Sequence, residues 1–532
     1  MAERHRGPAR VAASLPKIAP FAPFALLALL TAPHCRAEWK VTPKVDLRET
    51  YSDNVRLEAN DAARGAFVTD LTPSLSIASD SARLKLNATF GASLYAYSND
   101  PVEGSNNTNN TNRSQRHLTG SARAKLIEEL LFLDANASIG QQNISAFGPQ
   151  VSNNSNGYQG ANRAQVSTYR ISPYLAHRFG SDASAELRYT RDSVKSGNVG
   201  LGDSTGNSVS LSIASGAAFR TLGWGIQLSR QDVDDSVRST SRSETASATL
   251  RWRLQESLSV NANGGYDKYD YAALGGTTAG KSYSLGATWT PSVRTSVQAS
   301  AGRRYFGASY ALAASHRSRY AVWSANYSDA VTTTREQFLL PATIDTAAML
   351  NRLFSANFPN PIERGQAVDA YIRATGLPAS LADNVNYFTN RFVLQKQLQL
   401  AAAFNSAKTT TVFSLSATKR QALSTQQTDS TLLGASQSSL NDNTRQAAAS
   451  AVLNYRLSAR SGATLQLTKS RTDSLSTGLR NQQNLVSLAV TRQLQRKLKG
   501  ALELRRAQGD ALSQGGRTYR ENAVSASLSL TL

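Results

Sequence analysis

The sequence predicts an all-β fold: a transmembrane antiparallel β-barrel of about 22 strands, within a range of about 18 to 22, that carries a helical extracellular insert. Three observations predict it. Charged residues make up 18% of the 532-residue chain, below the roughly 25% usual for soluble domains, and small polar residues fill the difference. Polar and apolar side chains alternate with a period of two from one end of the chain to the other. Beyond the N-terminal leader no apolar run approaches the roughly 20 residues of a membrane-spanning helix.

The leader comes first. Arg4, Arg6, Arg10 and Lys17 precede an apolar run at residues 21–30, and Cys35-Arg36-Ala37 offers a small-x-small cleavage site. Residues 1–37 therefore read as a secretory signal peptide. The run is about half the length of a spanning helix, which disfavours an anchor. His34 stands where lipid attachment to Cys35 would want a small residue. Cleavage near Ala37 leaves a basic mature chain, residues 38–532, without cysteine, so its stability in an oxidising compartment has a source other than disulfides.

The dyad follows. Arg83-Leu84-Lys85-Leu86-Asn87-Ala88-Thr89-Phe90 alternates strictly. Ala246, Ala248, Leu250 and Trp252 alternate with Thr245, Ser247, Thr249, Arg251 and Arg253, and Val524, Ala526, Leu528, Leu530 and Leu532 with Ser525, Ser527, Ser529 and Thr531. Strands with one apolar and one polar face must close on themselves in lipid, because a free edge would leave backbone groups unpaired. A soluble β-solenoid is the alternative, but the chain lacks its fixed short repeat.

The links supply a parity test. Short links are expected at residues 78–82, 126–129, 177–182, 217–220, 254–256, 290–292, 458–461 and 493–496. Long polar links are expected at 99–115, 142–162, 231–242, 267–280, 421–443 and 472–481. If residues 308–316 form a strand, the count is even and every long link falls on the exterior side. The dyad stops at residues 331–390, where 343–354 and 362–375 read as amphipathic helices broken by Pro359, Pro361 and Pro378. This insert leaves the outer rim either to gate the lumen or to cap the surface.

At this point a resemblance emerges. Residues 39–55 (WKVTPKVDLRETYSDNV), 131–149 (LFLDANASIGQQNISAFGP), 171–189 (ISPYLAHRFGSDASAELRY), 289–327 (WTPSVRTSVQASAGRRYFGASYALAASHRSRYAVWSANY) and 336–341 (EQFLLP) resemble the PEP-CTERM system-associated outer-membrane proteins. The resemblance spans nearly all of the mature chain. It implies an integral β-barrel of the Gram-negative outer membrane, encoded beside exosortase and exopolysaccharide-assembly genes, and a role in exporting or anchoring extracellular polysaccharide. It brings no catalytic residues. One departure is the C-terminus, which ends in Leu532 where many outer-membrane strands end in an aromatic residue read by the assembly machinery.

The residues themselves suggest no enzyme, cofactor or metal. Only His117, His177 and His316 remain after the leader, and the parity keeps them apart. Gly264-Gly265 and Gly275-Gly276 lack the strand–loop–helix context of a phosphate loop. The basic residues do not cluster with stacking aromatics, so nucleic acid is not an expected partner. Arg83, Lys85, Arg188, Arg251, Arg253, Arg294 and Arg505 are instead expected to line the lumen, because a charge facing lipid at the midplane costs about 2–4 kcal/mol. They would favour anions, or pair with Glu186, Glu503 and neighbouring acids as structural ladders. Exterior Lys and Arg are candidates for binding outer-membrane lipid, lipopolysaccharide included.

Trp224, Trp252, Trp289, Trp323, Tyr95, Tyr189 and Tyr327 read as interfacial girdles. Tyr266, Asp267, Tyr269, Asp270 and Tyr271 are expected in an outer loop, as a sugar contact or as ordinary rim residues. Asp53 and Asn54 suggest an Asx turn. The expected function is a passive pore or conduit with a basic lumen for an acidic extracellular polysaccharide. The alternative is a non-conducting structural or adhesive barrel whose loops bind polysaccharide. A nutrient transporter would place a plug domain ahead of its barrel, whereas here strands begin close to Glu38.

Overall fold

The structure, a computed structural model, describes residues 39–98, 114–149, 158, 162–197, 202–236, 240–271, 278–339, 350, 387–389, 391–424, 441–511 and 517–532. The leader, and the helices expected at 343–354 and 362–375 apart from Leu350, lie outside them.

The strands are β1 (Trp39–Ser52), β2 (Ala66–Asp80), β3 (Leu84–Tyr97), β4 (Ser114–Ile127), β5 (Leu131–Asn143), β6 (Arg163–Phe179), β7 (Ala183–Ser196), β8 (Ser204–Ser215), β9 (Leu222–Asp235), β10 (Ser241–Gln255) and β11 (Leu258–Asp270). They continue as β12 (Ala279–Ser292), β13 (Thr295–Arg304), β14 (Gly307–Arg317), β15 (Ala321–Thr332), β16 (Val393–Asn405), β17 (Thr409–Ala422), β18 (Asn443–Ser458), β19 (Ser461–Ser474), β20 (Arg480–Gln495), β21 (Leu498–Ala511) and β22 (Arg517–Thr531). They form one 22-stranded sheet. Each strand pairs antiparallel with the next, and β1 also pairs with β22, through Tyr51↔Val524 and Leu47↔Leu528. That last pairing closes the barrel and leaves no edge to solvate.

The dyad determines which face is which. On β22, Val524 and Leu528 are 52% and 46% exposed on the outside, whereas Ser525 is 4% exposed within. This inverts the pattern of a water-soluble protein and fits a barrel whose outer surface is covered by lipid. The short links are turns such as residues 81–83, 128–130, 180–182 and 459–460, all at one end, and the long links leave from the other. Gly180, at φ +56°, makes the left-handed bend of the β6–β7 turn without Cβ strain.

The strand that settles the parity is β14, which spans Gly307–Arg317. Local turns differ from expectation because regular pairing runs further than the polar residues suggest. Thr290 to Ser292 belong to β12 and the turn is Val293-Arg294. Residues 266–270 likewise form the end of β11 instead of a loop. Tyr95 is 7% exposed and faces inward, on the side of Lys85 and Asn87, so it does not belong to a lipid-facing girdle. Trp252, Trp289, Trp323 and Tyr189 do face outward, 41–56% exposed.

Beyond β15, Thr334–Leu339 forms a short helix, α1. Its start is a reciprocal cap: the Thr333 amide donates to Glu336 Oε2 (3.2 Å) and the Glu336 amide donates to Thr333 Oγ1 (3.2 Å).

Candidate lumenal and outer-rim site

The site is built from α1, the return of the insert at Tyr387–Thr389, and the inner wall. Thr334 Oγ1 donates to the Tyr387 carbonyl (3.2 Å) and accepts from the Thr389 amide (3.1 Å), which ties the two ends of the insert together. From that tie the contacts diverge. Arg335 forms an ion pair with Asp192 of β7 and donates to Ser204 Oγ of β8 (2.9 Å). Phe338 packs edge-on to Phe388, and both rest on Ala164, Val166 and Val194 of β6 and β7.

The opposite contacts are with β16, β17 and β18. Gln337 donates to Gln395 (2.8 Å) and accepts from Arg420 (2.9 Å). The Tyr387 hydroxyl bonds Thr444 (2.8 Å), and the Arg420 guanidinium lies 4.7 Å from the Tyr387 ring. β7 and β17 stand about half the ring apart. The described ends of the insert therefore make a bridge of contacts between β6–β8 and β16–β18. The link between β5 and β6 joins this bridge, since Ala146 and Phe147 pack on Tyr387 and Asn481 of β20 donates to the Ala146 carbonyl (3.1 Å). Burial holds the Glu336 carboxyl above the ordinary glutamate range, although the Thr333 hydrogen bond opposes the shift.

A second feature lies at the outer rim. The β13–β14 link is only Tyr305-Phe306, and these two strands are the shortest of the barrel, so the wall is low there. Aromatic rings line the notch. Tyr271 stacks on Phe392 at 4.5 Å, Tyr305 lies 5.2 Å from Tyr269 and 5.4 Å from Phe306, and the hydroxyls of Tyr271 and Tyr305 are 3.4 Å apart. Below them Arg304 donates to Asp267 at 2.9 Å. A Cβ on Gly280 would meet the Tyr305 Cβ at 3.1 Å, so the small residue admits the ring. Of the five residues expected as a sugar contact, Asp267, Tyr269 and Tyr271 join this cluster. Tyr266 and Asp270 alternate to the outer face.

The seven basic residues expected in the lumen separate into three groups. Arg83 and Arg294 sit in turns at the short-link end, not on the wall, because the strands begin after them. Lys85, Arg188 and Arg505 face inward with acidic partners: Lys85 with Asp80 (3.6 Å), Arg188 with Glu186 (2.8 Å) and Asp134 (3.1 Å), Arg505 with Glu521 (3.0 Å). Arg505 also donates to the Tyr158 hydroxyl (2.7 Å). Arg251 and Arg253 are exposed on the inner face and have no ion-pair partner among the described residues.

Asp192, Arg335, Arg420, Tyr387, Tyr305, Phe306 and Phe392 were not expected at a site. The available signal was the Thr333-x-x-Glu336 cap spacing, which marks a helix start inside the insert. Among the described residues no three His, Cys, Asp or Glu side chains gather as a metal site.

The sequence matches no protein-family model and no curated protein. Similar solved structures include the siderophore receptor PirA from Pseudomonas aeruginosa, at 10% identity and a TM-score of 0.43, covering 94% of this chain and 81% of that one. The FrpB iron transporter from Neisseria meningitidis is 8% identical, with a TM-score of 0.47 over 92% of this chain and 81% of that one.

Proposed function

We propose that this outer-membrane barrel serves extracellular polysaccharide, as a gated conduit or docking component of a PEP-CTERM type system. The observation that carries the reading is the aromatic notch at Tyr269, Tyr271, Tyr305, Phe306 and Phe392, where ring faces stand beside the Asp267–Arg304 pair. Aromatic faces stack on the C–H faces of sugars, and a carboxylate and a guanidinium beside them supply an acceptor and donors for hydroxyl and carboxylate groups. Arg251 and Arg253, exposed on the inner wall, would draw an acidic polymer rather than a neutral one.

The bridge between β7 and β17 supports a second reading, a barrel that stays closed and whose rim binds surface polysaccharide. Planar-bilayer conductance of the refolded protein separates the two. A version with residues 334–389 replaced by a short Gly/Ser linker should conduct more than the intact chain and be blocked by an acidic polysaccharide on the exterior side. No conductance in either version, with folding verified, selects the closed adhesive barrel; conductance indifferent to any polysaccharide rejects both.

A further inference from the structure

We infer that the outer face of β16–β21 carries a binding site for the phosphorylated headgroup of an outer-leaflet saccharolipid. On β16–β19 and on β21 the outward side chains of the band are apolar and then change toward the long-link end. On β17, Phe413, Leu415 and Ala417 are followed by Lys419; on β18, Leu453, Ala449 and Ala447 lead to Arg445. Leu400 and Leu398 lead to Lys396 on β16, Leu465 and Leu467 to Lys469 on β19, and Leu502 and Leu504 to Arg506 on β21. The first charge beyond the apolar band is thus basic on four of these strands in succession and again on β21.

The register makes this costly without a partner. Lys396 lies directly opposite Lys419, and Lys419 directly opposite Arg445, on one face of three adjacent strands. Like charges so placed repel across the ladder. None of Lys396, Lys419, Arg445, Lys469 and Arg506 has an ion-pair partner among the described residues. The neighbouring Asp473 is already held by Arg471 and Arg480, each at 2.9 Å.

The location selects the ligand. A basic side chain facing lipid costs about 2–4 kcal/mol at the midplane and about 0–1 near the interface, so these charges belong at the headgroup level. Lys396, Lys419 and Arg445 stand close to the strand ends from which the long links leave, which is the exterior side, and Lys469 and Arg506 lie in the halves of β19 and β21 nearer that end. There the headgroups are phosphorylated saccharolipids, and a row of ammonium and guanidinium groups matches their phosphates with charge-assisted hydrogen bonds. Part of the chain's positive charge therefore faces the leaflet and not the lumen.

The test is a titration of the refolded full chain in detergent micelles with bisphosphorylated lipid A, followed by the temperature at which the compact form is lost on a gel. The expected result is a rise in that temperature with lipid A and none with dephosphorylated lipid A. The variant Lys396→Gln/Lys419→Gln/Arg445→Gln/Lys469→Gln should bind at least about tenfold more weakly, since each surface cation adds about 1 kcal/mol toward an anionic surface. If it does not fold, Lys419→Gln/Arg445→Gln should still weaken binding, and Lys419→Arg should retain it. Binding unchanged in these Gln variants, or equal with dephosphorylated lipid A, overturns the site. Displacement by millimolar inorganic phosphate assigns it to a free anion, and an equal effect of phosphatidylglycerol to unspecific lipid charge; both overturn the saccharolipid.

Discussion

Arg335 of the insert and Asp192 of β7 form an ion pair in which both side chains are almost completely buried, 4% and 3% exposed. This pair fastens α1 to one wall while Gln337 and Tyr387 fasten it to the other. Breaking one partner of a buried pair leaves an uncompensated charge, at a cost of about 3–5 kcal/mol. Asp192→Asn should therefore unseat the insert without opening the sheet, whose pairing does not involve that carboxylate. The expected outcome is faster proteolysis within residues 331–390 and higher single-channel conductance at an unchanged barrel melting temperature. Equal proteolysis of the variant and the parent protein would show that the pair does not hold the insert.

Glu336 gives the seat a pH dependence. Its folded carboxyl titrates above the ordinary glutamate range because burial disfavours the charge. An acid raised in this way takes up a proton on folding, so its contribution is fullest below the unfolded value and declines as pH rises toward the folded value. The insert should be most tightly seated in mild acid and loosen as the pH rises out of that range. Glu336→Gln should flatten this profile, because an amide oxygen can still accept from the Thr333 amide while carrying no charge. Limited proteolysis across pH measures both profiles, and a parallel slope in the variant would remove Glu336 as the cause.

Arg251 and Arg253, unlike the inward Arg188 and Arg505, have no ion-pair partner among the described residues. Replacing both with Gln should lower the anion preference of an insert-shortened barrel severalfold without affecting assembly. The same change at Arg188 should instead destabilise the wall by about 0.2–1 kcal/mol per partly exposed pair, with little effect on selectivity. Reversal-potential measurements in asymmetric salt decide between the two roles.

The barrel was legible because its information is local: β22 can be read from Val524 to Leu530 as alternating letters, and lipid admits one closed solution for many such strands. Parity then made even the weak β14 countable. The site was less legible because it consists of long-range contacts. Nothing in the sequence around Asp192 points to Arg335, and the outward alanines of β18, Ala447 and Ala449, give no hint that Arg445 opposes Lys419. Alternation also misassigned single residues where a polar side chain sits in a turn, as with Arg83, or an aromatic one points inward, as with Tyr95. The Tyr/Asp run at 266–271 reads as one loop motif, yet the pleat sends Tyr266 and Tyr269 to opposite faces.

That division makes the aromatic notch testable within one short run. Tyr271→Ala removes the ring stacked on Phe392, and Tyr305→Ala removes the one packed on Tyr269 and Phe306. Tyr266→Ala, on the lipid-facing side and 48% exposed, is the matched control from the same strand. If the notch is a sugar platform, each of the first two substitutions should weaken binding of an extracellular polysaccharide fragment about tenfold, equivalent to about 1.4 kcal/mol, and the control should leave it unchanged. Calorimetric titration of the three variants with the same fragment is the measurement. Equal affinity in all three would return these tyrosines to rim packing, where their stacking serves only to hold Phe392 and the start of β16 against the low wall.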